Sequence, residues 1–134
     1  MTSEQSKSLA RSRQELEAAR ALVKGGFGEQ AISRAYFAAF FAAEAALQLL
    51  GETRSKHSGV ISAFGRRVVR EGELDESVGR LLRSLFERRN QADYGSASMT
   101  LEEAELALED AERFVEAVTG WIEKESRGKR DELI

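Results

Sequence analysis

Cysteine and proline are absent from the 134 residues, and histidine occurs once. Without cysteine there is no disulfide, no thiolate-ligated zinc or iron–sulfur cluster, and no thiol nucleophile. A single histidine leaves no histidine-rich metal site within one chain. Average usage would supply about seven prolines, and proline disrupts helix interiors. The composition therefore favours long uninterrupted helices and implies neither a metal nor another cofactor.

Long apolar segments are also missing, since no run approaches the roughly 20 residues that span a bilayer. The first twenty residues are polar and do not resemble a secretory signal. Phosphate-binding loops, dinucleotide fingerprints, zinc-protease motifs and EF-hand loops are absent as well. We expect a protein without membrane contact in the cytoplasm, and its length fits a single domain.

Apolar residues that recur every three to four positions predict five helices. They cover residues 3–24, 29–50, 58–71, 75–94 and a last segment from about 100 onward. Asp75 is a predicted N-cap, and Thr100 with Glu103 forms a predicted capping box. Short loops between long helices predict an all-α antiparallel bundle of four to five helices. We expect one helical domain over residues 1–125 and a frayed C-terminal tail at 126–134.

The second predicted helix is apolar on nearly every side. Its polar side is interrupted by Phe37 and Phe41. A helix that is apolar all round is normally buried all round, which few helices in a small domain can be. Either this helix is central and both phenylalanines belong to the core, or Phe37 and Phe41 form a dimer interface.

Charge is distributed unevenly along the chain. The net charge of −3 combines about +4 over residues 54–89 with about −7 over residues 90–134. Nearly all basic residues of the middle segment are arginines, whose planar donors match phosphate. This segment is either a phosphate-binding surface or a solvated face paired with the acidic C-terminal third.

Two groups of residues are candidates for chemistry. Arg88, Arg89, Asn90, Asp93 and Tyr94 end the fourth helix, where Arg89 and Asp93 share a face at a spacing of four. They form either a phosphate-binding group or a structural ion pair, which if exposed contributes about 0.3–0.5 kcal/mol.

The second candidate is His57, which follows Lys56 just before the third helix. An imidazole with a pKa of about 6.5 is the natural general acid or base at neutral pH. Otherwise His57 caps the helix or is exposed to solvent.

These residues resemble the HEPN superfamily of small helical domains, in a prokaryotic branch with an R-N-x-x-D-Y motif replacing the usual R-x(4-6)-H. The matching segments are 33–40 in the second helix, 56–60 before the third, 85–95 at the end of the fourth, and the acidic start of the fifth. The resemblance covers nearly the whole chain. It implies a two-fold homodimer with a site at the dimer interface.

The resemblance also implies metal-independent ribonuclease activity, often that of a toxin encoded beside a nucleotidyltransferase antitoxin. The motif arginine maps to Arg89 and its polar neighbour to Asn90, whereas Asp93 and Tyr94 occupy the stretch of the missing histidine. Tyr94 is a loose counterpart of a tyrosine that is modified with AMP in some pairs.

Two sets of site residues follow from this mapping. The catalytic candidates are Arg89, Asp93 and His57, and the candidates for nucleotide or RNA binding are Arg89, Asn90, Tyr94, Arg88 and Lys56. A carboxylate is a weak substitute for imidazole at neutral pH, so Asp93 replaces the missing histidine poorly. His57 can serve only if the fold brings it near Arg89. We expect binding of nucleotide or RNA phosphate with weak ribonuclease activity; the alternative is a non-catalytic protein-interaction module in which the cluster is structural.

Overall fold

The computed structural model describes residues 2–53, 56–95 and 98–132. Within these residues the regular structure is entirely helical, which confirms the predicted fold class. The helices are α1 (Ser3–Lys24), α2 (Gly28–Leu49), α3 (His57–Ala63), α4 (Glu76–Tyr94) and α5 (Leu101–Glu132). A π-helical segment, Phe64–Arg70, continues α3.

The α2 helix is the centre of the bundle and packs against α1, α4 and α5. Ile32 and Tyr36 are fully buried, and eight alanines of α2 are buried with them. Small side chains let neighbouring helices approach closely. The α2 helix is therefore central, but Phe37 and Phe41 are only half-buried, and their role in a dimer interface stays a prediction.

The α5 helix supplies the other large part of the core. Phe114 is fully buried, and its ring centroid lies 5.3 Å from that of Phe64 in the π segment. Farther along α5, Trp121 Nε1 donates a hydrogen bond to the Gly72 carbonyl at 2.9 Å. This bond fixes the turn between the π segment and α4 against α5.

Helix ends follow the sequence closely. The Asp75 carboxylate accepts a hydrogen bond from the Ser77 amide at 2.8 Å, as expected of an N-cap. The Thr100 hydroxyl accepts one from the Glu103 amide at 3.1 Å, which is the threonine half of the predicted capping box. Gly26 has a φ of 84°, and it occupies the predicted turn between α1 and α2.

The third predicted helix was wrong in its second half, where the chain is wound as a π-helix. The Glu71 amide donates to the Arg66 carbonyl, five residues earlier. Wider winding brings successive side chains closer in direction, and adjacent Val68 and Val69 are both buried. Burial of both valines therefore favours π-helical over α-helical winding in this segment.

The last helix is longer than predicted. It continues in helical form beyond residue 125 to Glu132, the last of the described residues. No proline interrupts this segment, and its basic residues suit the negative end of a helix. Among the described helices, none combines the length and apolarity needed to cross a membrane.

Candidate functional site

The only histidine of the chain lies against an aromatic surface of α2. His57 Nδ1 is 2.8 Å from the Tyr36 hydroxyl. The imidazole stacks on the Phe40 ring with centroids 4.4 Å apart and meets the Phe37 ring edge-on at 5.6 Å. The sequence interpretation of His57 as a capping or solvent-exposed residue is therefore wrong: Lys56 is the N-cap residue of α3, and the imidazole is half-buried.

Arg89 reaches the same aromatic surface from α4. Its Cζ atom lies 5.7 Å from the Tyr36 ring centroid and 5.4 Å from that of Phe37. Its Nε donates to Asp93 Oδ2 at 2.9 Å, and its side chain is 18% exposed. Within the described part of the chain, no hydrogen bond is recorded for its two terminal nitrogens. We call His57, Arg89, Tyr36, Phe37 and Asp93 the His57–Arg89 cluster.

Electrostatics of the cluster keep both ring groups neutral. Burial lowers the pKa of His57 below its ordinary value, and the positive charge of Arg89 lowers it further. Burial raises the pKa of Tyr36 above its ordinary value, with Arg89 opposing this only in part. At neutral pH the imidazole is uncharged and the phenol keeps its proton.

Tyr36 also determines which ring nitrogen of His57 carries the proton. The hydroxyl is fully buried, and His57 Nδ1 is the partner recorded for it among the described residues. A buried hydroxyl without an acceptor costs about 1–3 kcal/mol. The favoured arrangement therefore has the Tyr36 O–H donating to Nδ1, so that Nε2 carries the imidazole proton.

Arg89 and Nε2 of His57 supply hydrogen-bond donors from side chains that contact the same two rings, Tyr36 and Phe37. Two N–H donors of which one is a guanidinium suit a phosphate oxygen. Asp93 holds the Nε side of the guanidinium and leaves the opposite edge for a ligand. These donors are chemically suited to an anion. The described residues contain no group of three or more histidine, cysteine, aspartate or glutamate side chains that could hold a metal ion.

The remaining residues of the sequence prediction are not brought into the cluster by any recorded contact. The Arg88 guanidinium donates to Ser84 and to Asp110 Oδ2, the latter at 2.6 Å, and so ties α4 to α5. Asn90 is half-buried beside it. Tyr94 is 78% exposed, and Lys56 is exposed at the start of α3. Since Arg88 is held in an ion pair across two helices, a structural role fits it better than ligand binding.

Phe37 and Phe41 are half-buried at the edge of the core. The Arg34 Cζ atom lies 4.9 Å from the Phe37 ring centroid, and the Arg11 Cζ atom lies 4.6 Å from that of Phe41. Each ring is thus partly covered by a guanidinium. Phe37 in addition supports His57 and Arg89.

The sequence analysis gave Tyr36 no role, although it is the hydrogen-bond partner of His57 in the cluster. A phenol on an otherwise apolar, alanine-rich stripe is itself a signal, because a buried tyrosine hydroxyl usually finds a hydrogen-bond partner. That partner is the imidazole, which lies 21 positions away in sequence. Only the packing of α3 on α2 reveals the pair.

A family model and individual relatives were found to be similar to this chain. The HEPN domain family matches residues 5–124, which contain the whole His57–Arg89 cluster. A Methanocaldococcus jannaschii protein named "Putative toxin MJ0605" is 38% identical over 103 residues, 77% of this chain and 77% of that protein. A UPF0332 protein of Thermotoga maritima is 35% identical over 115 residues, 84% of this chain and 86% of that protein. The chain therefore belongs to the HEPN domain family.

Proposed function

We propose that this chain is a toxin-like HEPN protein that binds RNA phosphate at the His57–Arg89 cluster and cleaves RNA slowly without a metal ion. One observation carries the proposal: the only histidine and Arg89 contact the same two rings, Tyr36 and Phe37. The toxin names of relatives such as "Putative toxin MJ0605" support a toxin-like role.

Phosphate binding and charge stabilisation follow from the donors. A phosphodiester that is attacked by its ribose 2′-hydroxyl gathers negative charge on its non-bridging oxygens. The terminal N–H groups of Arg89 can donate to those oxygens throughout the reaction, whereas Nε2–H of His57 can do so only in the tautomer that binds phosphate and is not the base. One such donor typically contributes about 10²–10³ in rate. Asp93 orients the guanidinium through Nε.

Cleavage should be slow because the form of His57 that can remove the 2′-hydroxyl proton is rare. His57 has a free Nε2 lone pair only when its proton moves to Nδ1, which leaves the buried Tyr36 hydroxyl proton without its acceptor. That state lies about 1–3 kcal/mol higher and is populated about 5–150-fold less. A neutral imidazole near Arg89 is thus available as a base, but in a minority of molecules. As the 2′-oxygen bonds to phosphorus, the bond from phosphorus to the 5′-oxygen breaks and this leaving oxygen takes a proton from water, which also makes the reaction slow.

An RNA cleavage assay in EDTA tests this function. Wild type is compared with His57→Gln and Arg89→Lys, the latter retaining the charge but losing the planar fork. Arg20→Ala is the control, because Arg20 pairs with Glu112 between α1 and α5 and touches none of the cluster. We expect products with 2′,3′-cyclic phosphate ends from wild type and control, and slower cleavage with weaker RNA binding in the two cluster variants. Equal cleavage and binding by all four proteins would contradict the proposal.

A homodimer forms the second part of the proposal. Phe37 and Phe41 are half-buried, and a two-fold contact of α2 with a second copy would cover them and bring two clusters together. Phe41→Ser is the cleaner variant, because Phe37 also supports His57. Sedimentation at micromolar concentration should give a dimer for wild type and a folded monomer for Phe41→Ser; a monomeric wild type would contradict it.

A nucleotidyltransferase-type antitoxin is the proposed protein partner in the cytoplasm. Exposed apolar side chains lie where α5 begins beside α2: Phe27 is 56% exposed and Leu101 is 41% exposed. This patch also favours the second candidate function, a protein-interaction module without catalysis. Co-purification of wild type with a nucleotidyltransferase, and its loss in Phe27→Ser, would support this partner. Unchanged binding of the partner protein by Arg89→Lys, with no RNA cleavage by wild type, would favour the interaction module.

A further inference from the structure

A groove lies between the π segment and α4, next to the His57–Arg89 cluster but outside it. Its volume is about 670 Å³, within the range of about 300–1,000 Å³ that is common for ligand sites. Ile61, Val69 and Phe86 line it with apolar surface. Charged residues surround this apolar floor, namely the arginines Arg66, Arg70, Arg80 and Arg83 and the glutamates Glu76 and Glu87. We call this feature the arginine groove.

Positive charge in the arginine groove exceeds the negative charge of the two glutamates that line it. Arg70 and Arg83 are exposed, and no ion pair is recorded for either of them in the described part of the chain. Arg80 lies 3.9 Å from the Glu76 carboxylate, but both side chains are largely exposed, and such a pair contributes little. Repulsion among closely placed guanidinium groups is relieved when an anion binds between them.

The acidic C-terminal third does not neutralise this charge. Within the described residues, the ion pair recorded between the basic middle segment and α5 is that of Arg88 with Asp110. Arg66 pairs instead with Glu52, at 3.8 Å. Of the two interpretations of the basic segment, a phosphate-binding surface is therefore the one that the arginine groove supports.

The arginine groove leads directly to the cluster. Ser58, which lines it, is the neighbour of His57 in the chain. Phe86 lines it too, and its ring centroid is 5.6 Å from that of Tyr36. Arg89 follows Phe86 by three positions on the same side of α4. A chain of phosphates lying in the groove would continue to the donors of His57 and Arg89.

We propose that the arginine groove binds a single RNA strand beside the phosphate held by the cluster, with its phosphates on Arg70 and Arg83 and a base against Phe86. An apolar floor with an aromatic ring and guanidinium walls is how proteins hold single strands with little sequence preference. A duplex buries its bases and could not use the apolar floor. This inference rests on the proposed function and names how its substrate is held.

Binding of a fluorescein-labelled single-stranded RNA, measured by anisotropy over a series of salt concentrations, tests the inference. The variant Arg70→Ala/Arg83→Ala is compared with wild type and with Arg20→Ala. Each phosphate contact on a single strand contributes about 0.7 to the slope of log K against log salt. The double variant should bind more weakly with a slope shallower by about 1.4, and Arg20→Ala should match wild type. An unchanged slope in the double variant would overturn the inference.

A steric variant provides an independent check. Gly65 lines the groove, and a Cβ atom there would meet nothing within 4 Å, so Gly65→Leu should fold and fill the space without changing charge. It should weaken RNA binding while the salt slope stays near that of wild type. Wild-type affinity in Gly65→Leu, with helical content retained by circular dichroism, would count against the groove.

Three further outcomes separate the groove from the cluster and from a protein ligand. Normal RNA binding by both groove variants, with cleavage reduced in His57→Gln and Arg89→Lys, overturns the groove and leaves the proposed function standing. Weakened binding in both groove variants, with no cleavage by wild type, supports the groove and removes the ribonuclease. Displacement of the labelled RNA by polyglutamate at a lower charge concentration than by unlabelled RNA would assign the groove to an acidic protein and overturn the inference.

Discussion

Replacing Tyr36 by phenylalanine removes one hydroxyl and leaves the buried ring in place. The lost bond is that between the hydroxyl and His57 Nδ1, at 2.8 Å. Its net contribution is about 0.5–1.5 kcal/mol, and the half-buried imidazole can take a water in its place. We expect the free energy of unfolding to fall by about 1 kcal/mol, which lowers Tm by about 3–5 °C for a domain of this length.

The same substitution should change the titration of the imidazole. The Tyr36 O–H stabilises neutral His57 by donating to Nδ1, so its removal raises the pKa of His57 toward the ordinary value. Burial and the charge of Arg89 continue to lower that pKa. Because the chain has a single histidine, its imidazole signals in an NMR titration need no assignment, and their nitrogen shifts report the tautomer directly.

Tyr94→Phe is the matched control, since Tyr94 is 78% exposed and lies outside the cluster. It should leave both Tm and the His57 titration as in wild type. Two results would refute a Tyr36 hydroxyl that donates to Nδ1: a proton on Nδ1 in wild type, or a pKa of His57 that is unchanged or lower in Tyr36→Phe.

The remaining predictions concern stability. Gly72→Ala should destabilise by about 1–3 kcal/mol, because its Cβ would lie 2.5 Å from the Val68 carbonyl oxygen, whereas Gly120→Ala, with nothing within 4 Å, should be neutral or stabilising in urea unfolding. Burial raises the pKa of Tyr36 in the folded protein above the unfolded value of about 10. The protonated phenol therefore stabilises the fold fully below pH 10, and this stabilisation is lost as pH rises above that value. Between about pH 9 and about pH 11, the free energy of unfolding should fall less for Tyr36→Phe than for wild type. Burial lowers the pKa of His57 in the folded protein below the unfolded value of about 6.5. The neutral imidazole therefore stabilises the fold fully above that value, and this stabilisation decreases as pH falls below it. The free energy of unfolding should fall less steeply with acid in His57→Gln than in wild type, and an identical pH dependence of the two proteins would contradict this.

Helix positions followed from the sequence because local signals dominate them. The periodicity, the glycines after helices and the caps at Asp75 and Thr100 act within a few residues. The π segment did not follow, because burial of both Val68 and Val69 depends on packing against other helices. Ser12 was missed for the same reason: its hydroxyl donates to the Ala38 carbonyl at 2.6 Å, which makes a polar residue part of the buried α1–α2 contact.

The candidate site was predictable only in part. The Arg89–Asp93 pair depends on a spacing of four within one helix, and the structure contains it. The approach of His57 to Arg89 requires α3 and α4 to meet the same surface of α2, which no pattern in a single sequence encodes. For Phe37, the sequence predicted its position on the polar side of the helix but not its contact with the His57 imidazole.

A double-mutant cycle of RNA cleavage in EDTA tests the central claim most directly. His57→Gln, Arg89→Lys and the double variant are compared with wild type, all at matched helical content by circular dichroism. If His57 and Arg89 act on one phosphate as a unit, the double variant should cleave no more slowly than the slower single variant, since effects within a unit are far from additive. Rate losses that simply multiply, or cleavage unaffected by either substitution, would contradict a single His57–Arg89 site.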